Sequence, residues 1–512
     1  MTVREVIEKH INLTSNDGIA RVLNSVELLK SDLEKERLLK IMSKKTGLAH
    51  PADQQMVISA NFPGLIDIAI GEDNKTGFLI KERGRMNFVK EWREGDVLYV
   101  PPDAGKVPFL LPRAERVIQH FTSDDDKVLY NDLSHHLRQY SYLSEGSRII
   151  VECFVFLSYL HDHPDISYMP EILLFAVAER GKSRTAKALI FVSFRGIHTP
   201  EFREANIFRF SHNLKATICF DIKNLWEKAK VNRSEDILLA RFEKGQKVAR
   251  VLHPEAGPFN DMVFYDIFGP TLLVTNEPVH KILGTRCIPI IMTYRPGKYK
   301  NPKPQDSIEM KERLTAWRAR VMDTALPILE PIQSLEGRLW DISQPLLQIC
   351  QIVYPQGMNL LRRVLEDVAT QKMDTERETI EGQIVAMLRD LSSDHLLCGN
   401  REWAIQTGDI LKQLKMGMRE SKLTPQYIGK KMRAMGLHTR KVRGYSEVVL
   451  NLPEFRILLR QYGLDNIQSH DAVTQQNSTS LHHAPDTSGN MVENCRDSLV
   501  DSEEITIEGE IA

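Results

Sequence analysis

The apolar positions change their period along the chain, and these changes divide it into segments. In residues 1–54 they recur three and four positions apart, as in VLNSVELLKSDLEKERLLKIM, and predict a helical N-terminal region. Residues 55–111 contain short β-branched runs between Gly, Asp-Asn and Arg-Gly turns, which predict a small β-rich module. Helical spacing returns over 112–168, a helical segment that precedes the next change.

Strands and helices then alternate over 169–296. The strand-like runs are EILLFAVA, KATICFDI, GPTLLVTNE and CIPIIMTY. Strands separated by helical stretches predict a mainly parallel α/β sheet. The polar stretch RPGKYKNPKPQD reads as a linker, and residues 297–395 are predicted to be helical again. Residues 396–465 predict a smaller unit of helices and a hairpin, and the polar, acidic residues 466–512 predict a disordered tail.

Composition removes several classes of protein. The 67 Lys and Arg residues balance 68 Asp and Glu residues, so any basic surface must be local. Six cysteines without a CxxC pair predict neither a disulfide framework nor a zinc ribbon. The longest apolar run, from Ile149 to Leu160, is too short to span a bilayer, and the first residues are too charged for a signal peptide. A cytoplasmic protein without a membrane partner is expected.

The clearest chemical signal is Gly181-Lys182-Ser183, which follows an apolar strand and opens a helix. This is the end of a P-loop, where backbone N–H groups at a helix N-terminus hold phosphates. Lys182 is expected to reach the β- and γ-phosphates and Ser183 to coordinate Mg²⁺. Arg180 and Arg184 flank the turn and are predicted to bind the nucleotide as well. The motif departs from the P-loop pattern at Ala176, where a glycine is expected.

Three further polar residues adjoin apolar strands in order along the chain. Asp221 ends TICFDI and would complete the Mg²⁺ shell beside the P-loop strand, although alone it reads as a residue at a turn. Asn276 ends TLLVTN and could orient the attacking water. Arg286 precedes CIPII, at the position of an arginine finger or sensor. Their order favours an ATP site over chance.

At these residues the chain resembles a family, the AAA+-type ATPases of phages and integrated elements, a DNA primase–helicase group related to the superfamily-three helicases. The matching stretches, within about residues 85–465, are GKSRTAKALIFVSFRGIHTPEFREANIFRF, FDIKNLW, SEDILLARFEKGQKVARVL, FGPTLLVTNEPVHKILGTR and GRLWDISQPLLQI. The resemblance implies an α/β fold with a P-loop NTPase (AAA+-like) core, a helical lid at 297–395 and a winged helix at 396–465. It also implies ATP and Mg²⁺ as cofactors, and a ring-shaped homo-oligomer, most often a hexamer, working with a separate primase or replication protein.

The resemblance carries roles to individual residues. Gly181, Lys182 and Ser183 take the Walker A role. Asp221 takes the metal-bound Walker B role, and Asn276 that of the first sensor. Arg286 becomes the finger that acts on a neighbouring subunit, and Arg338 in GRLWDI a lid residue near the γ-phosphate, or else one partner of a surface salt bridge.

Ile222 is a second departure, because the usual Walker B pair ends in a glutamate that polarises water. Either Glu235, Asp236 or Glu243 replaces that acid, or hydrolysis is slow. Loss of such a group costs about 10²–10⁴-fold in rate.

A local excess of basic residues predicts a DNA-binding surface. Between Leu411 and Ser446 there are ten Lys and Arg residues and one acid, Glu420. Thr424 and Pro425 predict a helix start, and Arg443 with Gly444 predicts the turn of a two-stranded wing. The alternative is a basic, solvated face. The predicted DNA-binding residues are Lys422, Gln426, Tyr427, Lys430, Lys431, Arg433, Arg440, Lys441 and Arg443.

These features together predict a DNA-stimulated ATP hydrolase, a helicase or translocase acting in replication of a phage or integrated element. The alternative is a non-hydrolysing or slow ATP-dependent switch or loader that recruits replication proteins to DNA. A third reading is a transcription regulator whose assembly the ATPase controls.

Overall fold

A computed structural model describes residues 55–465, except for 177–179, 253, 258–259, 278, 294 and 418–422. The protein is a mixed α/β chain of two compact units, the first ending at Lys372 and the second beginning at Met373. The regions 1–54 and 466–512, predicted as helical and as a disordered tail, lie outside the described residues, and so does Lys422. None of the described helices is long and apolar enough to cross a membrane.

The stretch predicted as a β-rich module holds six strands. They are β1 (Gln55–Ile58), β2 (Leu65–Ile70), β3 (Thr76–Glu82), β4 (Arg85–Val89), β5 (Trp92–Glu94) and β6 (Val97–Val100). They form two three-stranded sheets, in the orders β1-β6-β5 and β2-β3-β4. Arg83 and Gly84, between β3 and β4, have φ angles of 49° and 75°, the positive pair that a tight hairpin turn of this kind requires.

Three helices follow in the stretch predicted to be helical. They are α1 (Ala114–Ser123), α2 (Asp126–Arg138) and α3 (Glu145–Ser158). The side chain of Asp125 accepts a hydrogen bond from Lys127 N, and that of Ser144 accepts one from Ser147 N, so both later helices begin at a side-chain cap. The long apolar run lies in α3, which is buried continuously from Arg148 to Ser158 and forms a core helix.

Strands and helices alternate in the centre of the first unit. They are β7 (Glu171–Phe175), α4 (Lys182–Val192), β8 (Ile197–Thr199), α5 (Glu204–Phe208), β9 (Ile218–Asp221), α6 (Leu225–Val231), α7 (Glu235–Ala240), β10 (Lys247–Val251), β11 (Met262–Asp266), β12 (Thr271–Thr275), α8 (Lys281–Gly284) and β13 (Cys287–Ile291). Five of the strands form one fully parallel sheet in the order β13-β7-β12-β9-β8. The predicted mainly parallel sheet is therefore confirmed.

The sequence predicted that the strand ending in Asp221 would lie directly beside the P-loop strand, β7. This prediction is wrong, because β12 lies between β7 and β9, the strand that carries Asp221. Leu272 pairs with Ile172 of β7 on one side and with Cys219 of β9 on the other. The first four residues of β12 are buried, as a strand with neighbours on both edges and layers on both faces must be. The edge strand β8 was not predicted, since its three residues leave almost no periodic signal.

An antiparallel hairpin, β10 and β11, interrupts the alternation and forms a separate two-stranded sheet. The sequence analysis did not predict it, because apolar and polar residues do not alternate in KVARV or MVFYD, although the exposure of the folded side chains alternates along β10.

The next helices are α9 (Ile308–Val321), α10 (Arg338–Val353), α11 (Met358–Glu378), α12 (Ile380–Leu391) and α13 (Ser393–Leu397). Ala316 and Ala319 of α9 pack with Leu79 and Met86 of the β-rich strands and with Val117 of α1. The β-rich strands are therefore packed against the helices of the first unit. Short 3₁₀ and π turns lie at Ala104–Lys106, Arg209–Asn213, Pro254–Ala256, Pro304–Ser307 and Pro355–Gly357.

The boundary predicted at 395/396 differs from the boundary between the compact units at Lys372/Met373. The physical reason is that α12 supplies the core of the second unit, where Ile384 and Leu388 pack with Trp403 and Ile405. The helical spacing of apolar residues predicts that a helix has an apolar face, but it does not indicate which unit that face packs against.

The second unit continues with a mixture of helices and strands. They are β14 (Glu402–Gln406), α14 (Thr407–Gly417), α15 (Pro425–Ala434), β15 (His438–Val442), β16 (Tyr445–Asn451) and α16 (Leu452–Gln461). The strands form an antiparallel sheet in the order β14-β16-β15. The predicted helix start is confirmed, because Thr424 accepts a hydrogen bond from Tyr427 N and Pro425 occupies the first turn.

Arg318 joins three parts of the first unit. It is 1% exposed, and its guanidinium contacts both carboxylate oxygens of Asp162 at 2.6 and 2.7 Å. It also donates to the carbonyl oxygens of Ile66 (2.8 Å), Leu65 (3.2 Å) and Tyr159. Burial alone would raise the pKa of Asp162, but the charge and hydrogen bonds of Arg318, together with the charge of His161, outweigh burial and hold that pKa well below its usual range. The side chain therefore connects α9 to the end of α3 and to the start of β2.

We expect Arg318→Ala to lower the free energy of unfolding by about 3 kcal/mol, because it leaves a half-buried carboxylate and three carbonyl groups without their donor. Chemical denaturation of the full chain measures the change. Lys90→Ala is the control, since Lys90 and Asp73 form an exposed pair at 2.6 Å, for which a much smaller loss is expected. Equal losses in the two variants would contradict this role of Arg318.

Candidate functional site

The turn predicted as a P-loop lies between β7 and α4. Gly181 precedes the helix with a φ of 80°, a conformation that is open to glycine and strained for other residues. α4 begins at Lys182, so its first backbone N–H groups point toward this turn and suit an anion. Residues 177–179, inside the turn, lie outside the described part of the chain.

A cavity of about 720 Å³ opens at the carboxyl edge of the parallel sheet. Its volume lies within the range of about 300–1,000 Å³ typical of small-molecule sites. Its lining includes the predicted residues Arg180, Gly181, Lys182, Ser183, Arg184, Asp221 and Asn276. The structure thus brings together side chains that follow three different strands, because parallel strands present their carboxyl ends at one edge.

Asp221 is the centre of the polar contacts in this cavity. Its Oδ2 lies 3.3 Å from His198 Nε2, and Ser183 lines the same cavity. The interaction with His198 is the main cause that holds the pKa of Asp221 below its usual value, while burial opposes it and Ser183 adds to it. Asp221 is therefore a carboxylate kept in its charged form.

Lys182 lies on the same wall of the cavity. Its ammonium donates to the carbonyl oxygen of Ala176 at the end of β7. Burial lowers the pKa of Lys182, and the negative charge of Asp221 partly opposes that effect. With Arg180, Arg184, Lys187 and Lys223, the lining carries far more positive than negative charge, which suits a polyphosphate.

The Ser183 hydroxyl and the Asp221 carboxylate fit a magnesium ion. Both are hard oxygen ligands, and both line the same cavity. Mg²⁺ in nucleotide sites is usually held by one or two such side chains together with phosphate and water. Among the described residues, no group of three or more His, Cys, Asp or Glu side chains is placed to hold a metal ion.

Sequence reasoning missed His198, Lys223 and Asn301, all of which line the cavity. His198 is the middle residue of β8 and reaches Asp221 because β8 pairs with β9, where His198 is the register partner of Cys219. The only available signal was a polar residue within the short run Ile197-His198-Thr199 before a proline.

None of the three acids suggested to replace the Walker B glutamate lines the cavity. Glu235 and Asp236 lie at the start of α7, and Glu243 forms a β-bridge with Tyr168. Ile222 itself is 3% exposed. Among the described lining residues, Asp221 is the one carboxylate.

The structure does not bring Arg286 or Arg338 to this cavity. Arg286 precedes β13 and donates to Leu239 O (2.9 Å) and Ile282 O (2.8 Å), at the amino edge of the sheet. Arg338 donates to Thr285 Oγ1 at 2.9 Å. The two guanidinium carbons lie 4.9 and 5.5 Å from the centre of the Phe242 ring, so the arginines form a pair at the edge opposite Lys182.

Glu171, at the start of β7, is buried near this pair. One carboxylate oxygen contacts Cys287 Sγ at 3.8 Å, and the other, Oε1, has no hydrogen-bond partner among the described residues. Burial raises the pKa of Glu171 to about 8, although Arg241 and Arg286 oppose the shift.

The second unit presents part of the predicted basic surface. Gln426, Tyr427, Lys430 and Arg433 share the exposed side of α15, and Lys441 and Arg443 are exposed on β15 and its turn. Two of the predicted basic residues are instead engaged in ion pairs, Lys431 with Glu381 (2.7 Å) and Arg440 with Glu447 (2.5 Å).

No protein-family model matches the chain, and no curated protein matches it. A solved structure described as SCCmec type IV Cch, an active helicase, aligns with 87% of this chain and 88% of its own, at 11% identity and a TM-score of 0.33.

Two other solved structures align more weakly. The NrS-1 C-terminal region aligns with 76% of this chain and 96% of its own, at 12% identity and a TM-score of 0.30. Drosophila ORC bound to DNA aligns with 66% and 93%, at 11% identity and a TM-score of 0.17. Independently of these likenesses, the five-stranded parallel sheet and the turn at Gly181 are consistent with a P-loop-like core.

The raised pKa of Glu171 predicts a pH dependence of stability. Burial raises the pKa of the Glu171 carboxyl from 4.5 to about 8. Between these two pH values the folded protein therefore keeps a proton on Glu171 that the unfolded chain has lost. The stability that this proton supports is fully present below about pH 4.5 and is lost as the pH rises through about 8. We expect Glu171→Gln to remove a slope of up to about 1.4 kcal/mol per pH unit from the free energy of unfolding. Denaturation series at several pH values test this, and parallel curves for wild type and variant would contradict it.

Proposed function

We propose that the first unit binds a nucleoside triphosphate, ATP with Mg²⁺, in the cavity around Lys182. One observation carries this proposal: Lys182, Ser183, Asp221 and Asn276 line one basic cavity at the carboxyl edge of a parallel sheet, next to a helix N-terminus. Backbone N–H groups after Gly181 would hold the phosphates, and Lys182 would exchange its bond to Ala176 O for phosphate oxygens.

The same residues suggest how the triphosphate is hydrolysed. When bound, Mg²⁺ neutralises charge on the β- and γ-phosphates. Ser183 and Asp221 would hold the ion, with His198 keeping Asp221 ionised and oriented. Asn276, at the end of β12, would orient the attacking water by its side-chain amide.

We further propose that Arg286 acts on the nucleotide of a neighbouring copy in a ring-shaped homo-oligomer. A five-residue strand is about 16 Å long. The amino edge of the sheet, where Arg286 lies, is therefore about this distance from the P-loop of the same chain, which lies at the carboxyl edge. Arg286 therefore suits a phosphate that approaches from outside the chain. Arg338 lies over the same Phe242 ring as Arg286. We therefore propose that Arg338 also acts on the nucleotide of the neighbouring copy, and not on the nucleotide of its own chain as the sequence suggested.

The second unit supports a link to DNA. Its order of helix, strand, two helices and a two-stranded hairpin suits a winged helix, with α15 as the recognition helix and β15–β16 as the wing. The exposed side of α15 and the turn at Arg443 would contact bases and phosphates respectively. With the nucleotide site, this favours a DNA-associated ATPase, a helicase or translocase in the replication of a phage or integrated element, working with a separate primase or replication protein.

A slow switch or loader is the second candidate, and a specific observation favours it. Ile222 stands where a water-polarising glutamate is expected, and no carboxylate besides Asp221 is found among the described residues of the cavity. A chain of this kind would bind ATP well and turn it over slowly.

Steady-state ATPase assays with and without single-stranded and duplex DNA separate these candidates. Lys182→Ala should weaken ATP binding by about 10- to 100-fold, because it removes a charged hydrogen-bond donor from the phosphates. Arg286→Ala should leave ATP binding intact and lower turnover by about 10³-fold or more, as loss of an arginine finger does. Lys230→Ala, an exposed lysine of α6 outside the cavity, is the control.

Unchanged ATP affinity in Lys182→Ala would contradict the nucleotide site. Tight binding in the wild type without turnover, even with DNA present, would select the switch or loader over the motor.

Replacing Lys430, Lys441 and Arg443 together by alanine should weaken DNA binding and flatten its salt dependence. Each phosphate contact contributes about 0.9 to the slope of log affinity against log salt on duplex DNA, so the triple variant should lose about 2 to 3 units of slope. Fluorescence anisotropy at several salt concentrations measures it. Arg460→Ala is the matched control, since Arg460 pairs with Asp465 at 2.7 Å on α16. An unchanged slope in the triple variant would mean that this surface is only a solvated face.

A further inference from the structure

A second cavity, of about 390 Å³, lies next to the proposed phosphate site. The two cavities share Arg180, Gly181 and Arg184 as lining residues, so they meet at the turn where α4 begins. The other side chains of the second cavity are of a different kind, with aromatic rings and hydroxyl groups in place of lysines and a carboxylate. They include Tyr140, Ser141, Tyr142, Thr293, Arg295 and Tyr299.

Arg295 and Tyr142 form the flat part of this cavity. The guanidinium carbon of Arg295 lies 4.8 Å from the centre of the Tyr142 ring. A guanidinium plane and a phenol ring both accept a stacked heterocycle, and they do so through their faces. The proposed phosphate site uses neither side chain.

Tyr299 lines the second cavity, and its neighbours in the chain hold it there. Gly297 has no side chain, and a Cβ at this position would lie 2.8 Å from the Tyr299 ring. Lys300 donates through its backbone N to Gln139 O (2.9 Å) and through Nζ to Gln139 Oε1 (2.8 Å). The polar stretch that the sequence suggested as a linker is therefore fastened to the loop after α2, and its Asn301 and Pro302 continue into the larger cavity.

The hydroxyl groups of the second cavity are ill suited to telling one base from another. The hydroxyl groups of Ser141, Thr293 and the tyrosines can each donate or accept a hydrogen bond, so they match an amino group as readily as a carbonyl group. Stacking is likewise tolerant of sequence, since every base has a π face.

We propose that this second cavity holds the base of the nucleotide whose phosphates lie at Lys182, and that it accepts all four bases with little selectivity. The substrate class would then be nucleoside triphosphates in general. This proposal rests on the proposed function, because it assigns the base end of the same ligand. Tyr142 and Arg295 supply the stacking surfaces, and Tyr299 closes the side of the cavity.

Equilibrium binding to the full chain tests the proposal with five ligands: ATP, GTP, CTP, UTP and inorganic tripolyphosphate, each with Mg²⁺. Wild type should bind the four nucleotides within about tenfold of one another. Tyr142→Ala and Arg295→Ala should each weaken all four by about 5- to 150-fold, the range given by stacking of one base. Both variants should bind tripolyphosphate like wild type, because that ligand has no base. Tyr142→Phe, which keeps the ring, should recover most of the loss seen in Tyr142→Ala.

The controls separate this proposal from the proposed function. Lys182→Ala should weaken tripolyphosphate and nucleotides alike, whereas Tyr445→Ala, an exposed tyrosine of the second unit, tests the general effect of losing such a ring. Wild-type binding of tripolyphosphate with a loss in Lys182→Ala supports the phosphate site whatever Tyr142 does. The base site is overturned if Tyr142→Ala and Arg295→Ala leave nucleotide affinity unchanged or weaken tripolyphosphate equally. Preference of the wild type for one base by more than about tenfold would overturn the claim of low selectivity.

Discussion

The parallel hydrogen bonding of β12 to β7 on one side and to β9 on the other is the constraint on which the candidate site depends. This pairing aligns Thr275 with Phe175 and Val274 with Asp221, so three strands end together. The residues that follow these ends enter one cavity, although more than ninety positions separate Lys182 from Asn276. A single shift in register would turn the side chains of β12 to the other face and disperse the site.

The two edges of the sheet carry different chemistry because different side chains are buried there. At the amino edge, Arg241 is fully buried and donates to Thr271 Oγ1 (2.9 Å), Ile267 O (3.0 Å) and Pro270 O (3.2 Å). Burial lowers its pKa to about 10, while Glu171 opposes that shift. This network fixes the loop before β12 and supports the edge where Arg286 and Arg338 lie. At the carboxyl edge the charged groups line an open cavity.

The second unit shows how little a count of charges says about a binding surface. Ile428 and Met432 are fully buried and turn one side of α15 into the core, which leaves Lys430 and Arg433 facing outward. The sequence did not reveal that Glu381, fifty residues away in the chain, would take Lys431 as an ion-pair partner.

By itself the sequence determined the local features: the strands β7, β9, β12 and β13, the helix starts at Lys182 and Thr424, and the polar residues next to these strands. These depend on near neighbours in the chain, through periodicity, capping and glycine geometry. Only the tertiary structure decided the order of the strands, the contact between His198 and Asp221, and the separation of Arg286 and Arg338 from Lys182. It also turned a stretch that reads as a linker into the wall of a cavity beside Tyr142. Such contacts join residues far apart in the chain, and no local pattern records which distant partner will bury an apolar face or neutralise a charge.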